Sequence, residues 1–210
     1  MNMTLTVFRR LSLYLYYLKQ LPKEVTRISA TAIANDLGLG EVLVRKELSH
    51  ASGAAGRPKT GYVVSTLICA LENFLGYNTL YRAIVVGAGE LGHALMKQEG
   101  FSDFGLYIAA GFDTDEAVIG TQAAGRPILS LADLERFCEQ QPVELGIITV
   151  PKNAAQDVCD RLVACGIRSI WSFAPTPLKV PENVMVHYEN LSASLALLTN
   201  HLRETEKSAY

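Results

Sequence analysis

The sequence predicts an α/β chain in two parts, a helical N-terminal domain and then a parallel sheet covered by helices on both faces. Three observations predict it. Ala83-Ile84-Val85-Val86 is a continuous apolar run that enters Gly87-Ala88-Gly89-Glu90-Leu91-Gly92, a Gly-x-Gly-x-x-Gly turn that opens a helical pattern. From residue 82 onward, apolar runs alternate with helical patterns, as parallel βα units do. Ahead of residue 80, a short helix, a glycine-containing break and a second helix form a helix-turn-helix pattern, followed by a loop rich in glycine and cations. The expected organisation is a winged helix-turn-helix domain over 1–80, a Rossmann-type dinucleotide-binding domain over 81–189 and a terminal helix over 190–210.

Taken in order, Phe8, Leu11, Leu15 and Leu18 recur at steps of three and four and predict a helix over Leu5–Leu21, ended by Pro22. Ser29 is an N-cap for a helix over Ala30–Leu37. Gly38-Leu39-Gly40 breaks it, and a third helix over Glu41–His50 turns Val44 and Leu48 inward and Arg45 and Lys46 outward. Ala51–Gly61, with Gly53, Gly56, Arg57, Pro58 and Lys59, reads as a hairpin tip with two cations, a wing for a DNA backbone. Val63–Leu75 resumes a helix, and the boundary falls near Tyr77–Tyr81. Strands are expected over Arg82–Val86, Leu106–Phe112, Val143–Val150 and Ile167–Phe173, with another at Val184–Tyr188. Helices are expected over Glu90–Gln98, Leu131–Gln140 and Asn153–Ala164. Leu191, Leu195, Leu198 and Leu202 stripe a last helix over Leu191–Glu204, which packs either on its own domain or on a partner.

Composition narrows the function classes. Hydrophobic residues make up 49% and charged residues 19%, a globular balance. No apolar run approaches the ~20 residues that span a bilayer. The N-terminus lacks the apolar core of a signal peptide, so the cytoplasm is the expected compartment. Cys69, Cys138, Cys159 and Cys165 show no metal-ligand spacing, and no metal site is expected. Charge is divided. Residues 1–80 carry nine Lys/Arg against five Asp/Glu, and residues 81–210 carry ten against sixteen, so the N-terminal part is the one suited to a polyanion.

The glycine turn points backbone N–H groups and a helix dipole at an anion. Gly87 permits the tight turn, Gly89 lets a pyrophosphate reach the backbone, and Gly92 lets the helix pack on the strand. Asp113 lies 21 positions past Gly92, near the roughly 20 expected for the acid that bonds an adenosine ribose. Its charge repels a 2′-phosphate and favours NAD(H) over NADP(H), with Asp115 adding to the repulsion. His93 either approaches phosphate or is a solvent-facing or packing histidine. Arg45 and Lys46 are candidate DNA contacts, an arginine being able to pair with guanine and a lysine to neutralise phosphate. Arg57 and Lys59 are candidate phosphate contacts; Arg9 and Arg10 are surface arginines or further ones.

Arg45-Lys46-Glu47-Leu48-Ser49, Gly61-Tyr62, the glycine turn, Gly111-Phe112-Asp113-Thr114-Asp115, Thr149-Val150-Pro151 and Phe173-Ala174-Pro175 together resemble the Rex family of NADH-sensing bacterial repressors, over nearly the whole chain. The resemblance implies a homodimer with swapped terminal helices. It also implies a palindromic operator bound in the NAD+ state and released with NADH. It adds Ser49 to the DNA-binding residues. It adds Ala88, Glu90, Leu91, Thr114, Thr149, Val150, Pro151, Phe173, Ala174 and Pro175 to the cofactor cleft. The chain departs from the family pattern at three polar positions. Tyr16 stands for an arginine, Gln98 for a tyrosine, and Ser192 for the aspartate of Asn-Val-Asp-Phe in the last helix. The wing, Ala51 to Pro58, also differs from the family's aromatic and Gly-Arg-Gly residues.

Other readings stay open at this point. One is a paralogue that binds NAD(H) and a partner subunit with weak or no DNA binding. Another is a small NAD-dependent oxidoreductase, with Lys152 or His187 as its acid. A third is a cleft that takes another adenine nucleotide, such as one linked to coenzyme A. The regulator reading expects no catalytic turnover.

Overall fold

On α1 (Leu5–Lys19), the buried positions Val7, Leu11, Tyr14, Leu15 and Leu18 share one side. The sequence pattern placed Phe8 there, but at 100° per residue Val7 lies nearer the centre line of that stripe. Phe8 is partly exposed, with its ring 6.4 Å from that of Phe74. The computed structural model describes residues 4–53, 61–189 and 191–208.

β1 (Arg27–Ile28) precedes α2 (Ala30–Asp36), which starts where the Ser29 hydroxyl accepts the Ala32 N–H at 3.0 Å. After the Gly38-Leu39-Gly40 turn, α3 (Glu41–Ser52) buries Val44, Leu48 and Ala51 against α1, α2 and α4 (Val64–Leu75). β2 (Tyr62–Val63) pairs antiparallel with β1, Arg27 opposite Val63 and Ile28 opposite Tyr62. These two-residue strands are too short to show a period of two, so the sequence pattern did not reveal them. The join from α3 to β2, residues 54–60, lies outside the described residues, and Arg57 and Lys59 with it.

The chain divides into two units. The first runs to Thr79 and takes in Asp103–Gly105, and the rest forms the second. Phe104 meets the edge of Tyr77 at 5.3 Å, so this short segment belongs with the N-terminal helices rather than with the sheet that flanks it in sequence.

The second unit holds β3 (Tyr81–Val86), α5 (Glu90–Lys97), β4 (Leu106–Asp113), β5 (Gln122–Ala123), β6 (Arg126–Ser130), α6 (Leu134–Gln140) and β7 (Leu145–Ile148). These are followed by α7 (Lys152–Ala164), β8 (Ser169–Ser172), β9 (Met185–Tyr188) and α8 (Leu191–Ser208). Turns of 3-10 helix occupy Glu99–Phe104 and Leu131–Asp133. The sheet order is β5-β6-β4-β3-β7-β8-β9, with every pair parallel except β5–β6. Setting aside β5, this is the doubly wound order of the dinucleotide-binding fold. β5 and β6 were not anticipated. Pro127 and Arg126 interrupt the apolar pattern there, and proline is tolerated at a sheet margin, where fewer ladder bonds are needed.

Alternation along the central strands separates two cores. Ala83, Val85, Ile108 and Ile147 pack with Met96 of α5 on one face. Ile84, Val86, Phe112 and Ile148 pack with Leu134 of α6 and Val158 and Leu162 of α7 on the other.

Candidate functional site

Strand register builds the site. Val86 lies beside Phe112 and Ile148, and Ile148 lies beside Ser172. One residue further on, Gly87, Asp113, Thr149 and Phe173 therefore end four adjacent strands in a single row. The chain leaves β3 toward β4 on one side, and β7 lies on the other, so Gly87 stands at the topological switch point where open α/β sheets bind ligands.

Gly87 has φ 101°, and its N–H donates to the Phe112 carbonyl at 2.8 Å. A Cβ there would sit 2.9 Å from the Thr149 carbonyl carbon and hydroxyl. Thr149 locks the same turn, its hydroxyl donating to the Gly87 carbonyl at 2.6 Å and the Val86 carbonyl at 3.1 Å. A Cβ on Gly92 would fall 1.9 Å from the Gly87 oxygen, so α5 approaches the turn as closely as backbone allows. Gly89 differs: an added Cβ meets nothing within 4 Å. The first and third glycines are thus demanded by the protein's own packing, while the second faces open space at the start of α5.

Asp113 Oδ2 accepts the Ala88 N–H at 2.6 Å, and Oδ1 accepts the amides of Thr114 and Asp115 at 2.7 and 3.0 Å. Beside the turn lies a cleft of about 570 Å³ lined by Ala88, Gly89, Glu90, His93, Lys97 and Val118. Leu91 and Thr114 are exposed, and Pro151 and Pro175 are exposed after β7 and β8. Val150 packs into the core beneath, and Ala174 is buried in it. Phe173 stacks obliquely on Trp171 at 4.9 Å. A backbone cradle open at Gly89 and a carboxylate at the neighbouring strand end fit the diphosphate and ribose diol of NAD(H). Among the described residues no His/Cys/Asp/Glu group could hold a metal, and no helix is long and apolar enough to cross a membrane. His187 lies 3.3 Å from Glu189, and Lys152 begins α7 exposed.

On α3, Arg45 and Lys46 are exposed and Ser49 is partly so. Arg45 pairs with Glu41 one turn back. Sequence reasoning missed Glu47. It is 1% exposed, and its carboxylate accepts from Arg10 Nε at 3.0 and 3.1 Å and from the Tyr14 hydroxyl at 2.7 Å. The hydrogen bonds to Glu47 raise the Arg10 pKa. Burial first, and then Glu47, pushes the Tyr14 hydroxyl above the tyrosine range. Arg10 therefore pins α3 to α1. A signal was present: Glu47 sits between the inward-facing Val44 and Ala51, and Arg10 and Tyr14 stand one turn apart. The departing residues Tyr16, Gln98 and Ser192 are all exposed. On α8, Leu195, Leu198 and Leu202 are about 60% exposed.

The fold and the site define a class, a chain that carries a helix-turn-helix unit and a dinucleotide-type parallel sheet. Residues 4–49 match a putative DNA-binding protein N-terminus, and residues 78–176 match a CoA binding domain. The chain is 38% identical over 196 residues to the redox-sensing transcriptional repressor Rex of Porphyromonas gingivalis, covering 93% of this chain and 89% of that one. It is 38% identical over 206 residues to Rex of Clostridium botulinum, covering 98% of both. Among solved structures, the Rex-family repressor RSP in complex with NAD+ and operator DNA is 32% identical, with a TM-score of 0.91 over 100% of this chain and 96% of that one. RSP in complex with NADH is 31% identical, with a TM-score of 0.85 over 100% and 98%. This chain belongs to the Rex family of redox-sensing transcriptional repressors.

Proposed function

We propose that this chain is a cytoplasmic transcriptional repressor whose binding to palindromic operator DNA responds to the NADH/NAD+ ratio, with no turnover of its own. The observation that carries the cofactor half is the row of strand ends, with Asp113 bonded to the Ala88 amide beside the open Gly89. NADH and NAD+ differ in the charge of the nicotinamide ring. A ligand shifts the population of two protein forms only by the difference in its affinity for them. In this reading the Gly87–Gly92 turn and Asp113 hold the diphosphate and ribose common to both cofactors. Thr149, Val150, Pro151, Phe173, Ala174 and Pro175 are assigned to the rest of the cofactor cleft, the differing ring included. Arg45, Lys46 and Ser49 of α3 meet the operator, and Arg57 and Lys59 join them. The exposed leucines of α8 bury against a second copy in a swapped dimer. The domain limits follow the same assignment, 1–80 for DNA, 81–189 for cofactor and 190–210 for the dimer.

Coenzyme A carries a phosphate on its ribose, which the Asp113 carboxylate would face at close range, so a free ribose fits better. Titration calorimetry of the full chain with NADH, NAD+ and coenzyme A tests this. A tighter response to coenzyme A than to either dinucleotide rejects it. Gel shifts of promoter DNA with each dinucleotide test the switch, and equal binding with both rejects redox sensing.

A second reading is favoured by the changed wing residues and Ser192. A paralogue that binds NAD(H) and a partner subunit would give no salt-dependent DNA binding as a purified protein.

A further inference from the structure

The outward face of α3 is not uniformly polar. With 100° between successive residues, the buried Val44, Glu47, Leu48 and Ala51 point one way. The opposite direction is shared by Val42, Lys46 and Ser49, with Arg45 at the flank. Val42 is 78% exposed, the highest value among the exposed large hydrophobic residues described. A β-branched residue on a solvated helix is a poorer helix former than the alanine, lysine or glutamate that suit such a position. It gains nothing there from burial within its own chain.

The neighbours of Val42 say what covers it. Lys46 stands one turn further along the same line, and Arg45 stands three residues on, both exposed. Arg45 is paired with Glu41, the residue before Val42, in an exposed pair that is weak, so a polyanion can draw the guanidinium away. A surface with cations beside an apolar centre fits a polyanion that carries an apolar feature. The major groove of duplex DNA has one in the thymine C5-methyl group, flanked by phosphates and purine edges. Val42 lies in the first turn of α3, and the N-terminal residues of a recognition helix are those that reach base edges.

We infer that Val42 is a specificity-determining residue that packs against a thymine methyl in each operator half-site. The inference rests on the operator-binding reading above. Lys46 then supplies affinity through phosphate without sequence information, and Val42 supplies discrimination without charge.

The test begins with duplexes selected from a random-sequence pool by the purified full-length protein. Each thymine is replaced singly by deoxyuridine, which lacks only the methyl group. Affinities of the wild-type, Val42→Ala and Lys46→Ala proteins are then read by fluorescence anisotropy at one salt concentration. At one thymine per half-site, deoxyuridine weakens the wild-type protein by about four-fold, the effect of unburying one methyl group, and the effect shrinks in Val42→Ala, which lacks the two γ-methyls. Lys46→Ala weakens all duplexes alike and keeps the deoxyuridine effect. If Val42→Ala keeps every deoxyuridine sensitivity of the wild type, the assignment of Val42 is overturned while operator binding stands. If no duplex is enriched at all, operator binding itself fails and this inference with it.

Discussion

The Asp113 carboxylate closes on the Ala88 amide, with Oδ2 2.6 Å from the nitrogen. One side chain thereby ties the end of β4 to the glycine turn after β3. A carboxylate oxygen can accept two hydrogen bonds, so Oδ2 retains an acceptor position for a ribose hydroxyl while it shapes the turn. Asp113→Asn loses the charge and leaves one acceptor oxygen for the three amides, of Ala88, Thr114 and Asp115, that donate to the carboxylate. Hydrogen bonds to a charged group contribute about 1.5–3 kcal/mol, so NADH affinity falls by about ten- to a hundred-fold and discrimination against NADPH shrinks. Titration calorimetry with both cofactors measures this, and an unchanged NADH affinity contradicts the ribose assignment.

The three glycines of the turn separate folding from binding. Gly92→Ala places a Cβ 1.9 Å from the Gly87 oxygen, so it lowers both the melting temperature and cofactor binding. Gly89→Ala meets nothing within 4 Å in the protein itself, and its φ of −67° suits alanine. Its stability changes by about 1 kcal/mol or less, a helix N-cap effect, while the new methyl blocks the diphosphate. Thermal melts paired with calorimetry distinguish the two. A Gly89→Ala protein that binds NADH normally would show that the diphosphate does not cross the start of α5.

Much of this was legible in the sequence, and the misses have physical causes. β3, β4, β7 and β8 announce themselves because a strand buried on both faces needs an unbroken apolar run. The place of Asp113 at the end of β4 follows from the apolar run Leu106–Phe112 and its spacing from Gly92. β1, β2, β5 and β6 escaped because they are short or lie toward a sheet margin, where burial does not impose a pattern. Phe8 falls on the apolar face yet stays exposed, because a three-and-four periodicity cannot tell the centre of a stripe from its edge. Glu47 was missed because its partners come from α1, more than thirty residues away, and only packing brings Arg10 and Tyr14 to it.

Alkaline pH should loosen the N-terminal unit through its tyrosines. Burial first, then the hydrogen bond to Asp36, pushes the Tyr17 hydroxyl up to about 12. Tyr14 is raised in the same sense, by burial and then Glu47. In the unfolded chain both titrate near about 10. A folded pKa above the unfolded one contributes stability that is complete below pH ~10 and is lost as pH climbs toward ~12. Urea unfolding between pH 9 and 11.5 therefore shows a falling midpoint, and Tyr17→Phe flattens part of the fall. An identical slope in Tyr17→Phe and wild type contradicts the assignment.

The exposed stripe on α8 predicts the oligomeric state. Leu195 and Leu198 are 61% and 62% exposed in the single chain, and burying a leucine contributes about 1.5–3 kcal/mol. Leu195→Arg or Leu198→Arg converts the dimer to monomer at micromolar concentration in analytical ultracentrifugation. NADH binding to the monomer persists, because every residue of the turn row lies at a strand end of the sheet and none on α8. A wild-type protein that sediments as a monomer rejects the dimer assignment.

With α3 as the proposed operator-reading helix, the Arg45–Glu41 pair sets how easily it engages DNA. Glu41 holds Arg45 in an exposed pair one turn long, and such pairs contribute only about 0.3–0.5 kcal/mol. The guanidinium can therefore leave for a guanine edge at small cost. The carboxylate left behind then faces the phosphates and opposes binding. Glu41→Gln removes that repulsion and tightens operator binding by a few-fold at low salt, and the gain fades as salt screens the charge. Arg45→Ala weakens binding most at operators with a guanine in the contacted position, by about 1–3 kcal/mol. Lys46→Ala instead lowers the slope of log K against log salt by about one. Anisotropy titrations of the three variants across a salt series resolve these effects, and a Glu41→Gln protein that binds more weakly than wild type shows that the pair positions Arg45 instead of competing for it.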